Sequence, residues 1–370
     1  MDPINLIISG DFAPLVPTEK ISGDHFADLL QILKCSDLHI TNLECPLTYS
    51  ENKIEKSGPG IKSDPASVSL LVQSNVKLAC LANNHIFDYG EKGIIDTLEV
   101  LKKSNIESAG IVNRTNGQEK WVIKEINGKR IGFLNYCENE FSVREKGLLG
   151  AAGYDPVKAY YDIQVLRLKV DWLIVNYHGG NEYYPLPRPE LKKDFHYLAD
   201  LGADLVVGHH THVFSGYEVY NGKPLIYSLG NFFFPYEGEP KSWNEGVLLN
   251  CLIDDSIQFE LIPFYQCKDG FEVTLMEGDR KESVINKVKD LSSIIADDSK
   301  LEEAWRIYVQ NFGEGLSGKI LYPTKIDKLL LKLPFIKKYV SDKSKRRSLI
   351  NILRCTSLEQ LLIDGLKLKQ

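Results

Sequence analysis

Residues 206–214 read VVGHHTHVF, so three of the chain's eight histidines fall within four positions. Imidazoles so spaced can bind a metal, pass a proton or fill a core. Which of these they do depends on what else reaches the same place. Four other apolar runs end in residues able to join them. NLIIS (5–9) leads to Gly10-Asp11, and LHITN (38–42) leads to Leu43-Glu44. VKLACL (76–81) leads to Asn83-Asn84-His85 and Asp88, and DWLIVNY (171–177) runs straight into His178. DLVVG (204–208) then delivers His209, His210 and His212. In α/β sheets, ligands collect beyond the carboxyl ends of the strands, so these residues form a candidate site. Carboxylates, an amide oxygen and imidazoles are the mixed donors that suit divalent Mn, Fe or Zn. No thiolate joins them, which argues against a structural zinc knot. Two such ions bridged by one carboxylate would activate water and neutralise a phosphoryl transition state.

Such a site needs elements to position it. From residue 1 to about 215, short apolar runs alternate with helical stretches, and RIGFLNY (130–136) adds a sixth run. Several runs are apolar throughout, as expected of strands covered on both faces. The helical stretches are 64–75, 93–105, 154–169 and 188–202. Two open on Asp-Pro, where Asp caps the first turn and Pro loses no hydrogen bond, and the last stops at Gly202. Alternation of this kind predicts a layered α/β domain. From 217 to 280 the pattern becomes strands alone, with Asn221-Gly222 as a hairpin turn. Beyond 281 it becomes helical. The expected organisation is one domain over residues 1–275 and a helical, basic region over 281–370.

Composition sets the limits. A net charge of −6 and ordinary apolar and charged fractions suit a folded chain and give no footprint for nucleic acid. Seven dispersed cysteines without a CxxC pair read as reduced thiols. The opening MDPINLIISGDF has no basic start or long apolar region, so a cytoplasmic location is expected. Residues 319–370 carry 13 Lys/Arg against 4 Asp/Glu, mixed with apolar residues at helical spacing. They are expected either to pack as a small basic subdomain or to touch an anionic membrane or an acidic partner.

Longer stretches carry a family resemblance. GDF (10–12), NLECPLT (42–48), LANNHIFDYGEKGIIDTLEVL (81–101), SAGI (108–111), NYHGGNEY (176–183) and the run from 198 to 234 resemble the CapA family. That family is named for poly-γ-glutamate capsule synthesis, and its domain is related to calcineurin-like metallophosphoesterases. The resemblance implies an α/β, four-layer αββα sandwich with a C-terminal helical appendage. It implies that Asp11 binds one metal and that Glu44 takes the place of the bridging carboxylate. Asn84, His178 and His210 would bind a second metal, and His212 would return to the first. His85 would protonate the leaving group, oriented by Asp88. His209 stands where related enzymes carry glycine and is left out of the ligand set.

Two departures bear on the metal count. Related phosphoesterases have Asp-x-His in the first motif, where this chain has Asp11-Phe12-Ala13. The second motif carries Glu44 in place of Asp, lengthening the bridge by a methylene. One ion or two are therefore both open.

The Gly- and Pro-rich stretch 178–190 could wall a cleft, with Glu182 and Arg188 meeting substrate and Asn231 of YSLGNFFF shaping it. His25 is read as a loop or helix-start residue, His39 as core or surface, and His196 as an exposed residue of an amphipathic helix. The function expected is a metal-dependent hydrolase acting on an anionic small molecule or polymer. Its setting would be capsule, poly-γ-glutamate or other cell-surface polymer metabolism. The same activated water could cut an amide. A non-catalytic assembly factor for a polymer synthase is the reading from another class.

Overall fold

The structure, a computed structural model, describes residues 3–321 apart from 57, 114–119, 145–146, 237 and 269. Its organising strand is β1 (Ile4–Phe12), buried along almost its whole length. β2 (Leu38–Leu43), β3 (Val76–Cys80) and β4 (Glu107–Ala109) follow in parallel on one side of it. The short β5 (Ile111–Asn113) precedes β6 (Trp121–Ile126) and β7 (Lys129–Cys137), a hairpin that begins a second sheet. Asn127-Gly128 turns that hairpin with both residues at positive φ, which Asn and Gly tolerate best. β8 (Leu149–Ala151) returns to pair with β5. β9 (Trp172–His178) and β10 (Leu205–His209) then lie parallel to β7. A hairpin of β11 (Tyr217–Tyr220) and β12 (Lys223–Ile226) closes that edge.

From there the chain goes back to the first sheet. β13 (Asn231–Phe233) lies parallel to the end of β1, and β14 (Glu245–Ile253) pairs antiparallel with its beginning. β15 (Ile257–Gln266) and β16 (Val273–Leu275) complete the edge. Gly10 is required at this junction, because a Cβ there would lie 1.8 Å from the Gly230 carbonyl oxygen.

The helices cover the outer faces of the two sheets. α1 (Leu30–Lys34), α2 (Val68–Gln73) and α3 (Gly90–Lys103) belong to the first half. α4 (Pro156–Arg167) and α5 (Pro189–Leu201) pack on β9 and β10. The expected caps are present. Asp64 accepts from the Ala66 N–H at 2.8 Å, and Asp155 accepts from Val157 and Lys158 N–H groups at 2.9 and 3.0 Å. With helices outside, the remaining faces of the sheets bury against each other, which gives the expected αββα layering.

α6 (Gly278–Ile295) and α7 (Asp298–Leu321) follow. Contacts divide the chain into two units, Met1–Glu303 and Ala304–Gln370. α6 belongs to the first, burying Val284, Val288, Leu291 and Ile295 against β11 and β15. Its last turn is held by Lys192, whose Nζ donates to the Ile295 carbonyl at 2.7 Å. Of the basic stretch 319–370, residues from 322 onward lie outside the described residues, and so does the membrane or partner contact expected of it. Among the described residues no helix is long and apolar enough to cross a membrane.

His39 is a core residue. Its Nδ1–H donates to the Ser74 carbonyl at 2.7 Å and its Nε2 lies 2.9 Å from Ser9 Oγ, tying β2 to β1 and to the end of α2. Burial pushes this imidazole down to about 4 from 6.5, against the pull of the Ser74 carbonyl. Because the folded value is the lower one, the stability it contributes is present above pH 6.5 and is lost as pH falls towards 4. Urea unfolding from neutral pH downward is expected to show this loss, on the order of 3 kcal/mol, and His39→Gln is expected to flatten it.

Candidate metal centre

Strand register brings the site together. β1 and β2 run in parallel with Asp11 opposite Asn42, and Glu44 follows directly after β2. In the second sheet Cys137, His178 and His209 lie side by side at the ends of β7, β9 and β10. Carboxylates from one sheet therefore meet imidazoles from the other. His210 and His212 lie in the loop after β10 at φ 91° and 58°, a left-handed backbone that non-glycine residues adopt at a cost. That backbone is tied to the site, because the His210 N–H donates to Asp11 Oδ2 at 3.0 Å.

The distances define two overlapping donor sets. Glu44, His210 and His212 form one and Asp11, Glu44 and His178 the other, each with ligand atoms within 4.8 Å of one another. Glu44 belongs to both, which is the position of a bridge. Its Oε1 is 3.6 Å from His178 Nε2 and 3.8 Å from His212 Nε2. The His178 and His210 rings are 4.7 Å apart. Asn84 Oδ1 lies 3.0 Å from His178 Nε2. The two sets put His178 with Asp11 and His210 with His212, whereas the family resemblance puts His178 and His210 on one ion, and their rings are closer than the 6.0 Å between His210 and His212.

The donors fit a divalent cation on an observation of their own. Both Glu44 carboxylate oxygens are buried without any hydrogen-bond donor, and so is His210 Nδ1. A buried carboxylate left without donors is costly, and a cation between the two sets removes that cost. The electrostatics of Glu44, His178 and His210 agree, whereas at His212 burial works downward but the hydrogen bond to Asp11 and its charge outweigh it and raise the imidazole. Burial, then Asp11, Glu182 and Glu140, raise the Glu44 carboxyl well above its ordinary value. Burial and then His210 hold His178 well below the usual imidazole range, and burial with His212 brings His210 down to about 3. Neutral imidazole is the form that binds metal. For Asp11 burial works upward, but the His212 hydrogen bond and the charges of His178, His212 and His209 bring it below the ordinary carboxylate range.

A layer of amides orients these donors. Asn42 Nδ2 donates to Asp11 Oδ1 at 2.8 Å and lies 3.1 Å from His178 Nδ1. Asn231 Oδ1 lies 2.9 Å from His212 Nδ1. Asn231, expected to shape the cleft, thus holds a candidate metal donor in place. His209 sits behind Asp11, its Nδ1 3.7 Å from Oδ1.

His85 stands at the edge of the site. Its Nδ1–H donates to Asp88 Oδ2 at 2.7 Å, and Asp88 Oδ2 also accepts from the Ile61 N–H at 2.8 Å. That leaves His85 Nε2 for the cleft. Burial lowers the His85 pKa and Asp88 works against it. Lys56 pairs with Asp88 and lies 3.2 Å from His85 Nδ1. Sequence reading missed Lys56, because SENKIEKSGPG has no periodicity to mark one lysine from another.

Beside the site opens a cleft of about 390 Å³, lined in part by Asn84, His85, Glu182 and His212. Glu182 is where the loop reading placed it. Arg188 is not among the lining residues. Its guanidinium pairs with Glu138 at 2.7 Å, and it precedes α5 as the N-cap residue. His25 is bonded to the Lys20 carbonyl, and His196 to Glu218 with its ring stacked on Tyr220.

Comparison with known proteins gives concordant matches. The profile of the family described as bacterial capsule synthesis protein PGA_cap matches residues 7–236. The PGA biosynthesis protein CapA of Bacillus subtilis is 32% identical over 233 residues, 62% of this chain and 61% of that protein. The capsule biosynthesis protein CapA of Bacillus anthracis is 29% identical over 218 residues, 56% of this chain and 53% of that one. The matched part thus spans only between half and two thirds of these relatives. Among solved structures, that of a novel phosphatase from Mycoplasma pneumoniae superposes with a TM-score of 0.50 at 18% identity. It covers 72% of this chain and 94% of that one. The fold is a metallophosphoesterase-like sandwich.

Glu44 makes a prediction about the metal-free protein. Its carboxyl is held above the ordinary 4.5 in the folded protein, so ionising it costs folding energy that grows as pH rises from there. After chelation, Glu44→Gln is expected to resist urea better than wild type at neutral pH, and the two to converge near pH 4.5. With metal restored, the order is expected to reverse. Equal urea midpoints at both pH values would show that Glu44 is not the orphan it looks.

Proposed function

The chain belongs to the bacterial capsule synthesis protein PGA_cap family, and we propose that it serves there as a metal-dependent hydrolase of the phosphoesterase type. The observation that carries this reading is Glu44, a buried carboxylate without donors, shared by two sets of metal-ligating side chains. Asp11, Glu44, His178, His210 and His212 would hold the metal, with Asn84 beside His178. When bound, a divalent cation supplies an activated water and offsets charge on the transferred group.

The chain's own residues supply the rest. Asn42 and Asn231 fix the orientation of Asp11 and His212, so the donor set is arranged before any ligand arrives. His85 gives a proton from Nε2 to the departing oxygen. Asp88 holds the ring by its Nδ1–H and stabilises the charged form against burial. Lys56, paired to Asp88, steadies that carboxylate. The leaving group lies in the adjoining cleft, which His85 and His212 both line. The substrate class is a phosphate ester met in capsule or other cell-surface polymer metabolism.

Elemental analysis is the first test. Wild type grown with Mn, Fe and Zn is expected to carry about one or two equivalents of metal, lost in His178→Ala and His210→Ala. The loaded protein is expected to hydrolyse bis-p-nitrophenyl phosphate. His85→Asn is expected to lower kcat by roughly 10²–10⁴-fold with metal content unchanged. No metal after reconstitution would sink the hydrolase and favour a binding role in polymer assembly.

A further inference from the structure

We propose that the cleft beside the metal centre is a subsite for a protonated amine or quaternary ammonium group on the substrate. The proposal rests on the hydrolase reading only for which bond is cut. It makes the substrate a phosphate ester of an amino alcohol, with its phosphoryl group at the metal centre and its cation in the cleft.

The first support is an aromatic wall built before any ligand arrives. Trp243 is 3% exposed, its Nε1–H donates to the Phe234 carbonyl at 2.8 Å, and its ring lies 4.5 Å from that of His212. Tyr183 and Tyr236 each lie 6.1 Å from Trp243, so three rings surround one space next to a metal donor. Tyr183 is held at both ends. Its N–H donates to the Thr211 carbonyl at 2.8 Å and its hydroxyl to Glu239 Oε2 at 2.7 Å. Its backbone is left-handed, at φ 62°. All three rings line the cleft, whose 390 Å³ is small-molecule size.

The second support is the balance of charge. Glu140, Glu182 and Glu239 line the same cleft, against one lysine. That lysine, Lys56, is paired with Asp88 and lies over Phe141 at 5.4 Å, so its charge is already engaged and the three carboxylates outweigh it. Aromatic faces carry negative potential and attract cations, most strongly where several rings meet. Carboxylates around such a cage add attraction for an alkylammonium group and repel a polyanion. A polyglutamate chain would meet like charge here. An aminoalkyl ester would not, because its phosphate faces the cationic metal centre and its ammonium group faces the rings.

The test uses the full chain and two probes of the same shape. Choline and its neutral isostere 3,3-dimethylbutanol are titrated calorimetrically into the purified protein, with no turnover required. Choline is expected to bind at least about tenfold more tightly. Glu182→Gln, Glu239→Gln and Tyr183→Leu are each expected to weaken choline severalfold, and the two Gln variants to leave the alcohol unaffected. Equal binding of the two probes, or binding of neither, overturns the proposal. The second arm compares hydrolysis of the phosphate esters of the same two alcohols. Choline binding with neither ester cleaved would leave the cation subsite standing and remove the hydrolase. Both esters cleaved at equal rates, with equal probe binding, would do the reverse.

Discussion

The structure depends most on a buried carboxylate that has no partner. Glu44 lies at the end of β2, sealed from solvent, with neither oxygen satisfied by a donor. A fold of marginal stability does not retain such a group without compensation. The surrounding residues are arranged for a compensating cation. His178 and His210 are held neutral, Asp11 is held charged, and the amides of Asn42 and Asn231 fix the angles of the donors they touch. Removing the Glu44 charge would relieve the metal-free protein and also remove the link between the two donor sets. Stability and function pull in opposite directions at this residue, as expected where a site is built for a ligand.

How much of this was legible in the sequence follows from how local each signal is. Asp11, Glu44, His85, His178 and the His210–His212 pair could be found because each follows an apolar run that can only be a buried strand. Residues at the ends of parallel strands share one edge of the sheet. The sandwich was legible through the alternation of strands and helices and through the family stretches. β4, β5 and β8 were not, since strands of three residues leave no periodicity. The return of β13 to lie beside β1 was not legible either, because Gly230 and Gly10 meet across the whole chain and nothing local marks the pairing. The loop after His178 points Arg188 towards the cleft in the sequence, but Glu138 after β7 lies within reach and captures its guanidinium. Asn42 and Lys56 act through partners that only the fold supplies.

The cleft separates two electrostatic tasks. Beside it lie imidazoles and two carboxylates that, with a cation among them, would favour an anionic group. Its rim carries carboxylates and aromatic faces, so it favours a cationic one. These two preferences sit a few ångströms apart because the His210–His212 loop touches both. His212 is a candidate metal donor on one side and a ring neighbour of Trp243 on the other. A molecule that carries both charges at that spacing gains from each, and one with a single charge gains from only one.

The donors come from segments that begin at Asp11 and end at His212, in two sheets that are separate in the chain. No early fragment emerging from a ribosome can hold them all. The first carboxylates must wait, exposed or provisionally packed, until the second sheet has been made and has docked. Even then β13 and β14 have still to close over β1. Uptake of a metal there would therefore be a late event of biosynthesis, its order set by topology. In a cell short of the right ion, newly made chains would accumulate with their sheets assembled and their centre empty, and these are the chains that quality-control proteases would meet first.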